Sequence, residues 1–250
     1  MKIALIRDGT AQLTVKNVVI NIKMLDIYKK IEEVIEAERQ VQLKERGGKE
    51  RTTWYPSEIG GCLRGAYAKR LGIIPDKELD ERTKRVFKCG NMFEDFILDL
   101  IGEDEEYTLE REVRVEDNEL HFSGRIDALI TYKDGTKEAL EIKSKHSGAF
   151  HYMKKTGKPM RQHEYQLWLY LYHMGIEKGR LVYLSKDDLC IATFEVRLDD
   201  EQLKKEVLWK LGLLNEAWEK KDPSILPLIE DEKDWRAKYC DYHEGYCKKI

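Results

Sequence analysis

Residues 124–145, GRIDALITYKDGTKEALEIKSK, decide how this chain folds. Two β-type runs, 125–131 and 138–142, flank Lys133-Asp134-Gly135-Thr136, and Asp-Gly between such runs is a strong hairpin signal. Asp127 is the lone acid of the first run. Glu141 and Lys143 stand on either side of Ile142 in the second, so both point to one face of the strand. Two carboxylates and a lysine on neighbouring strands are costly to bury. They make sense if a hard divalent cation sits between the carboxylates and the lysine addresses an anion beyond it. Register tests that idea. A two-residue turn at Asp134-Gly135 pairs Asp127 with Ile142 and faces it away from Glu141. A three-residue loop with Gly135 in a bulge, or a bulge within either strand, returns Asp127 to the side of Glu141 and Lys143. An irregular hairpin is therefore expected.

The whole chain sets wider bounds. With 250 residues and 42% hydrophobic content it can bury a substantial core, as one large domain or one domain with an appendage. No apolar run approaches the roughly 20 residues that span a bilayer. The opening MKIALIRDGTAQ lacks the apolar stretch of a signal peptide, so a cytoplasmic protein without membrane partners is expected. The net charge of −3 does not by itself announce a nucleic-acid binder, but charge is unevenly spread. Residues 99–119 are heavily acidic. Residues 143–161 hold Lys143, Lys145, Lys154, Lys155, Lys158 and Arg161 and no acid. Alone, such a run reads as a solvated loop; beside a metal site it reads as a phosphate-facing rim. The five cysteines, an odd number in a cytosolic-looking chain, argue against a disulfide framework and leave metal ligation or plain burial.

Around the hairpin, hydrophobic periodicity predicts the remaining elements. Residues 1–23 alternate as a β-hairpin, and 25–46 read as an amphipathic helix ended by Gly47-Gly48. This appendage, residues 1–50, carries no motif with attachable chemistry. Ser57 is a plausible N-cap, and helical character continues over 62–71 until Gly72. Residues 80–101 form a longer helix with Phe93, Phe96, Ile97, Leu100 and Ile101 as its apolar stripe. Glu94 lies at the margin, roughly 100° from Phe93, and can reach a sheet packed beneath. Strands are expected over 108–115, 180–184 and 190–196, and helices over 161–174 and 200–220. His163, Gln166 and Tyr170 share one face of the first of these helices. The order describes an α/β domain over 51–250, a mixed sheet flanked by helices, and no Gly-rich phosphate loop is present.

Read together, G-R-I-D, then E-I-K, then H-x-x-Q-x-x-x-Y resemble the PD-(D/E)XK nuclease superfamily, in its RecB-like branch of phage exonucleases and CRISPR-associated nucleases. The likeness covers about residues 54–250. It implies a restriction-endonuclease-like fold, with Asp127 and Glu141 as metal-binding carboxylates and the carbonyl of Ile142 as a further ligand. Lys143 matches the catalytic lysine, and Gln166 and Tyr170 match the supporting helix motif. Glu94, in C-G-N-M-F-E-D, matches an upstream helix position held by His or Glu in relatives. A third carboxylate favours oxygen-coordinated Mg²⁺ or Mn²⁺. Ile126 stands where the superfamily's leading proline would be. Lys145, Lys154, Lys155, Lys158, Arg161 and His163 are the expected nucleic-acid contacts.

Members of the RecB-like branch often end W-x-C-x-x-C-x6-C, three thiolates that join an upstream cysteine around a [4Fe–4S] cluster. Trp235, Cys240 and Cys247 match, Cys62 takes the upstream place, and Ala237 stands where the first terminal cysteine would be. His243 is available to complete a Cys₃His set, so iron–sulfur, zinc and no metal stay open. Cys89 and Cys190 read as core. The resemblance implies a divalent-metal-dependent DNA nuclease, an exonuclease acting on DNA ends or single strands in phage-type DNA processing or recombination. The alternatives are a CRISPR-associated spacer-processing nuclease and a catalytically silent nucleic-acid-binding subunit of a repair complex.

Overall fold

In the computed structural model the hairpin closes through three loop residues, Lys133, Asp134 and Gly135. Tyr132 donates its N–H to the Thr136 carbonyl at 2.9 Å, and Gly135, at φ 85°, donates to the Tyr132 carbonyl. Asp134 Oδ1 accepts the Thr136 N–H at 2.8 Å. Gly135 occupies the left-handed region that favours glycine, and this sets the register Thr131↔Lys137 to Ala128↔Leu140. One more step along that register brings Asp127 opposite Glu141. The expected irregular turn is present.

The structure describes residues 2–5, 10–15, 18–23, 26–46, 51–76 and 79–250. They fall into two compact units, Met1–Lys49 with Leu79–Lys88, and Glu50–Glu78 with Cys89–Ile250. The first unit holds an antiparallel meander, β1 (Lys2–Leu5), β2 (Thr10–Val15) and β3 (Val18–Lys23), followed by α1 (Ile27–Arg46). Three strands stand where a hairpin was expected, β2 pairing with both β1 and β3. Glu32, Glu36 and Glu38 of α1 pair with Arg85, Lys84 and Lys88, surface bridges that solvent screening weakens.

The second unit begins with α2 (Pro56–Ile59) and α3 (Leu63–Arg70). Its N-cap is Tyr55, because Pro56, with its preset φ, opens the helix ahead of Ser57. Then follow α4 (Glu81–Ile101), whose first turns group with the other unit, β4 (Tyr107–Asp117), β5 (Phe122–Tyr132) and β6 (Lys137–Lys145). After them come α5 (Ser147–Thr156), α6 (Arg161–Met174), β7 (Lys178–Ser185), β8 (Ile191–Arg197), α7 (Glu201–Lys220) and a short α8 (Trp235–Lys238). The strands form one mixed sheet in the order β4-β5-β6-β7-β8, antiparallel except for the β6–β7 pair, whose crossover contains α5 and α6. This is the α/β, restriction-endonuclease-like sheet with flanking helices that the motifs imply.

Period-two alternation assigns the faces. Ala139, Leu181 and Tyr183 pack with Leu167 and Leu171 of α6 and Leu203, Val207 and Leu211 of α7. Leu140, Ile142, Val182 and Leu184 pack with Ile97 and Leu98 of α4. The stripe expected on α4 is therefore partly wrong: Phe93 and Ile101 flank this core, while Phe96 and Leu100 are 43% and 65% exposed. Six apolar residues between 93 and 101 wrap more than one helix face, so spacing alone does not choose the buried one. Cys89, expected in the core, is exposed, since α4 buries only Ile97 and Leu98; Cys190 packs against the first cluster. The basic run also holds structure that a loop reading misses. His146 caps α5 through its ring, Gly157 ends it in the left-handed region, and Phe150 and Met153 bury one side.

If Gly135 sets the register, Gly135→Ala should destabilise the second unit by about 1 kcal/mol, since the cost is backbone strain alone. Denaturant titration should show a lower midpoint at unchanged slope; an unchanged midpoint means the loop does not require the left-handed conformation.

Candidate active site

The sheet is irregular at one point, and the acids gather there. Ile126 belongs to the α6-side core, whereas Ala128 and Ile130 belong to the α4-side core, so the alternation of β5 breaks at Asp127. On the neighbouring strand Glu112 takes φ 52°, and the pairs Arg111↔Ala128 and Val113↔Ile126 leave Glu112 and Asp127 unpaired between them. A non-glycine residue in that conformation marks a local distortion. On the other side the β5–β6 ladder stops at Ala128↔Leu140, and Asp127 Oδ2 takes the freed Ile142 N–H at 2.6 Å. A side chain thus replaces a strand partner where the two strands part.

Glu141 is fully buried, and its Oε1 accepts from Lys143 Nζ, while its Oε2 has no partner. An orphaned, fully desolvated carboxylate oxygen is expensive unless something electropositive meets it. Burial raises the Asp127 carboxyl above its ordinary value despite Lys143 and the Ile142 amide. Burial, then Asp127, pushes Glu94 up to about 7, and burial again pushes Glu141 up to about 8 even though Lys143 opposes it. The Lys143 ammonium is pulled down by burial, but Glu141 and Asp127 outweigh this and the net shift is upward. Each carboxylate feels the others through space, so Glu94, Asp127, Glu141 and Lys143 form one electrostatic cluster. Three acids without enough positive charge suit a divalent cation with oxygen ligands. The donor set fits that ion.

From α6, Gln166 and Tyr170 close the α6 side of the cluster, both buried. Burial, then Glu141, raises the Tyr170 hydroxyl, with Gln166 and the Arg125 backbone as hydrogen-bonding partners. A Cβ on Gly124 would lie 2.5 Å from Tyr170 Oη, which explains the glycine of G-R-I-D. His163 is buried against Tyr183, Nδ1 to Oη 2.7 Å, and Lys145 lies on the strand face of Glu141 and Lys143. Lys154, Lys155 and Lys158 are exposed on and after the last turn of α5. Arg161 is engaged elsewhere, with Glu206 at 3.0 Å and Glu164 at 3.4 Å. Sequence reading missed Glu112, whose charge acts on Glu94 and Asp127 and which pairs with Arg125 at 3.0 Å. A lone glutamate in a charged strand gave no signal; its role depends on the distortion.

A second cluster lies at the end of the chain. Cys62, Cys240 and Cys247 offer sulfurs within 4.8 Å of one another. Gly65 makes room for them, since a Cβ there would lie 3.0 Å from Cys240 Sγ. His243 does not join this set; it groups with Glu232 and Glu244, and Lys248 already bridges both acids at 2.8 and 2.9 Å. Among the described residues no fourth cysteine reaches the trio, and Ala237, buried one helical turn before Cys240, accepts the Cys240 N–H. Hydrogen bonds from Cys240 and Cys247 draw the Cys62 thiol down to about 2. Cys240 rises to about 11, where Cys62 and burial outweigh a hydrogen bond from Cys247, and Cys247 is pushed upward. Three thiols this close share one negative charge until a cation joins them, a pattern that fits a thiophilic metal. Arg64, unremarked in the sequence, is buried and donates to the carbonyls of Leu226, Cys247 and Ile250, fixing this segment against α3.

No protein-family model matches the chain. It is 30% identical over 130 residues, 52% of its length, to the CRISPR-associated exonuclease Cas4 of Saccharolobus solfataricus. The chain spans about half of that curated relative, 54% of it. Its fold is that of the crystal structure of SSO0001, at a TM-score of 0.58 and 22% identity, covering 88% of this chain and 98% of the other. A phage-related exonuclease from Haemophilus somnus is similar over 68% of this chain and 95% of its own, at a TM-score of 0.47 and 14% identity. The sequence likeness to Cas4 and the fold shared with SSO0001 support the resemblance to RecB-like PD-(D/E)XK proteins.

The raised carboxylates carry a stability consequence. Their folded-state pKa values exceed the ordinary 4.5 of glutamate, so the native protein holds protons that the unfolded chain releases. That contribution is complete below 4.5 and is lost as pH rises through about 7 and about 8. In chelator, the melting temperature of the wild type should fall across this window, and Glu141→Gln should flatten the fall. A wild-type profile that stays level through it contradicts the burial of an uncompensated Glu141.

Proposed function

We propose that this chain is a divalent-metal-dependent DNA nuclease, an exonuclease that hydrolyses phosphodiesters at DNA ends or in single strands. The observation that carries the reading is the convergence of Glu94, Asp127 and Glu141 on Lys143, with one buried Glu141 oxygen left unpartnered. Glu94, Asp127, Glu141 and the Ile142 carbonyl would hold Mg²⁺ or Mn²⁺. When bound, such an ion lowers the pKa of a water and offsets charge gathering on the phosphoryl oxygens.

The protein's own groups divide the remaining work. Lys143 keeps its proton, because Glu141 and Asp127 outweigh burial, so it serves as a positive group that orients the attacking water and meets the developing charge. The Ile142 amide fixes the Asp127 carboxylate by its hydrogen bond, so that oxygen needs no reorganisation. Gln166 and Tyr170 buttress the acids from α6 and keep the pocket low in dielectric. Lys145 and His163 contact the nucleic acid near the reacting group, and the exposed Lys154, Lys155 and Lys158 attract the strand at longer range.

Phage-type DNA processing or recombination is the context the motifs suggest. The 30% identity to the Cas4 exonuclease favours a second reading within the class, CRISPR-associated spacer-end processing. Cys62, Cys240 and Cys247 would hold a thiophilic centre, iron–sulfur or zinc, which would anchor the final segment to α3. DNA is the partner, and residues 1–50 act as an appendage.

End-labelled DNA incubated with Mg²⁺ or Mn²⁺ should be degraded by the wild type, and Asp127→Ala should lose activity by at least about 100-fold. Binding without any cleavage, equal in both proteins, supports a silent nucleic-acid-binding subunit and overturns the nuclease.

A further inference from the structure

We propose that Lys145 and His163 form an anion subsite beside the metal carboxylates, which takes a non-bridging oxygen of the phosphodiester adjoining the one cleaved. The proposal rests on the nuclease reading above and adds where the strand is gripped. Alternation along β6 places Glu141, Lys143 and Lys145 on one face, and the parallel register sets Lys143 beside Tyr183 and Lys145 beside Ser185 of β7. Successive positions on that face are about 6.6–6.8 Å apart, the scale of one step along an extended nucleic-acid strand.

Lys145 is half-buried, and its carbonyl accepts the Lys186 N–H at 2.7 Å, yet among the described residues its ammonium makes no hydrogen bond or ion pair. Burial, then Lys143 and Lys186, draws its ammonium down to about 8, and no acid offsets them. A cation held out of water among other cations lacks the counter-charge that normally accompanies burial. Lys143 has Glu141; Lys145 has none.

His163 supplies a donor of fixed direction. The Met160 N–H donates to Tyr183 Oη at 3.2 Å, and Tyr183 Oη lies 2.7 Å from His163 Nδ1. The Tyr183 oxygen already accepts the Met160 N–H, which leaves its own proton for Nδ1 and assigns the ring proton to Nε2. Burial, then Lys145 and Lys143, holds the imidazole neutral, down to about 2. Both lysines lie near enough to act on the ring, so His163 adds an N–H to their neighbourhood without a further positive charge. A neutral donor beside an unpaired ammonium is suited to an anionic oxygen. A nucleic-acid phosphate supplies that oxygen in line with the cleavage site.

The test is metal-dependent cleavage of a labelled single-stranded oligonucleotide by the full chain and by Lys145→Gln, His163→Ala and Tyr183→Phe, each checked for native circular dichroism. Lys145→Gln and His163→Ala should raise KM about tenfold with kcat within about threefold. An uncharged methylphosphonate beside the cleavage point should penalise the wild type and add no further penalty to Lys145→Gln. Tyr183→Phe should change the ¹⁵N imidazole spectrum of His163 from one tautomer to a mixture and raise KM severalfold. Loss of kcat at constant KM, additive penalties, or a tautomer unmoved by Tyr183→Phe would each overturn the subsite. If no metal supports cleavage, the nuclease reading fails separately. Oligonucleotide binding without added metal then decides: about tenfold weaker binding by Lys145→Gln upholds the anion subsite, and equal binding removes it.

Discussion

One hydrogen bond holds the rest in place: the Asp127 carboxylate accepting the Ile142 N–H where β5 and β6 part. A regular ladder would pair that amide with a backbone carbonyl. Here the side chain replaces the backbone, so Asp127 stays buried next to Glu141, and the backbone carries a compensating distortion at Glu112. Desolvation then governs the electrostatics. Carboxylates that would ionise freely in water are shifted upward, and the one lysine among them is shifted upward as well. The pocket is built for charge it does not itself contain.

The two faces of the sheet divide the labour. On one, α4 packs through Ile97 and Leu98 and brings Glu94 to the cluster from its margin. On the other, α6 packs through Leu167 and Leu171 and presents His163, Gln166 and Tyr170. Close packing at Gly124, where no Cβ fits beside the Tyr170 hydroxyl, locks that helix to the strand carrying Asp127. The geometry of the acid cluster and core packing thus share the same contacts, and a change in either would be felt in both.

The cysteine trio repeats the logic with softer atoms. Three thiols brought together by α3 and the final turn form a set that suits a thiophilic cation, and Arg64 ties the same segment down through backbone carbonyls. Ala237 leaves the set one thiolate short of four, which separates this chain from the pattern its motifs resemble.

Local rules were enough for much of this. Asp-Gly chemistry and a face argument determined from sequence that the hairpin had to be irregular if Asp127 and Glu141 were to meet, and helical spacing placed His163, Gln166 and Tyr170 together. These features depend on residues near one another in the chain. Only the tertiary structure decided the rest. It chose which side of the apolar stretch 93–101 of α4 is buried, and it drew Glu112 into the site through a strand distortion. It also paired Arg161 with Glu206, parted His243 from the cysteines, and set the His163 ring against the Tyr183 hydroxyl. Each of those outcomes turns on a partner far away in sequence, and periodicity carries no information about who that partner is. The hairpin announces the acids; the fold decides what they face.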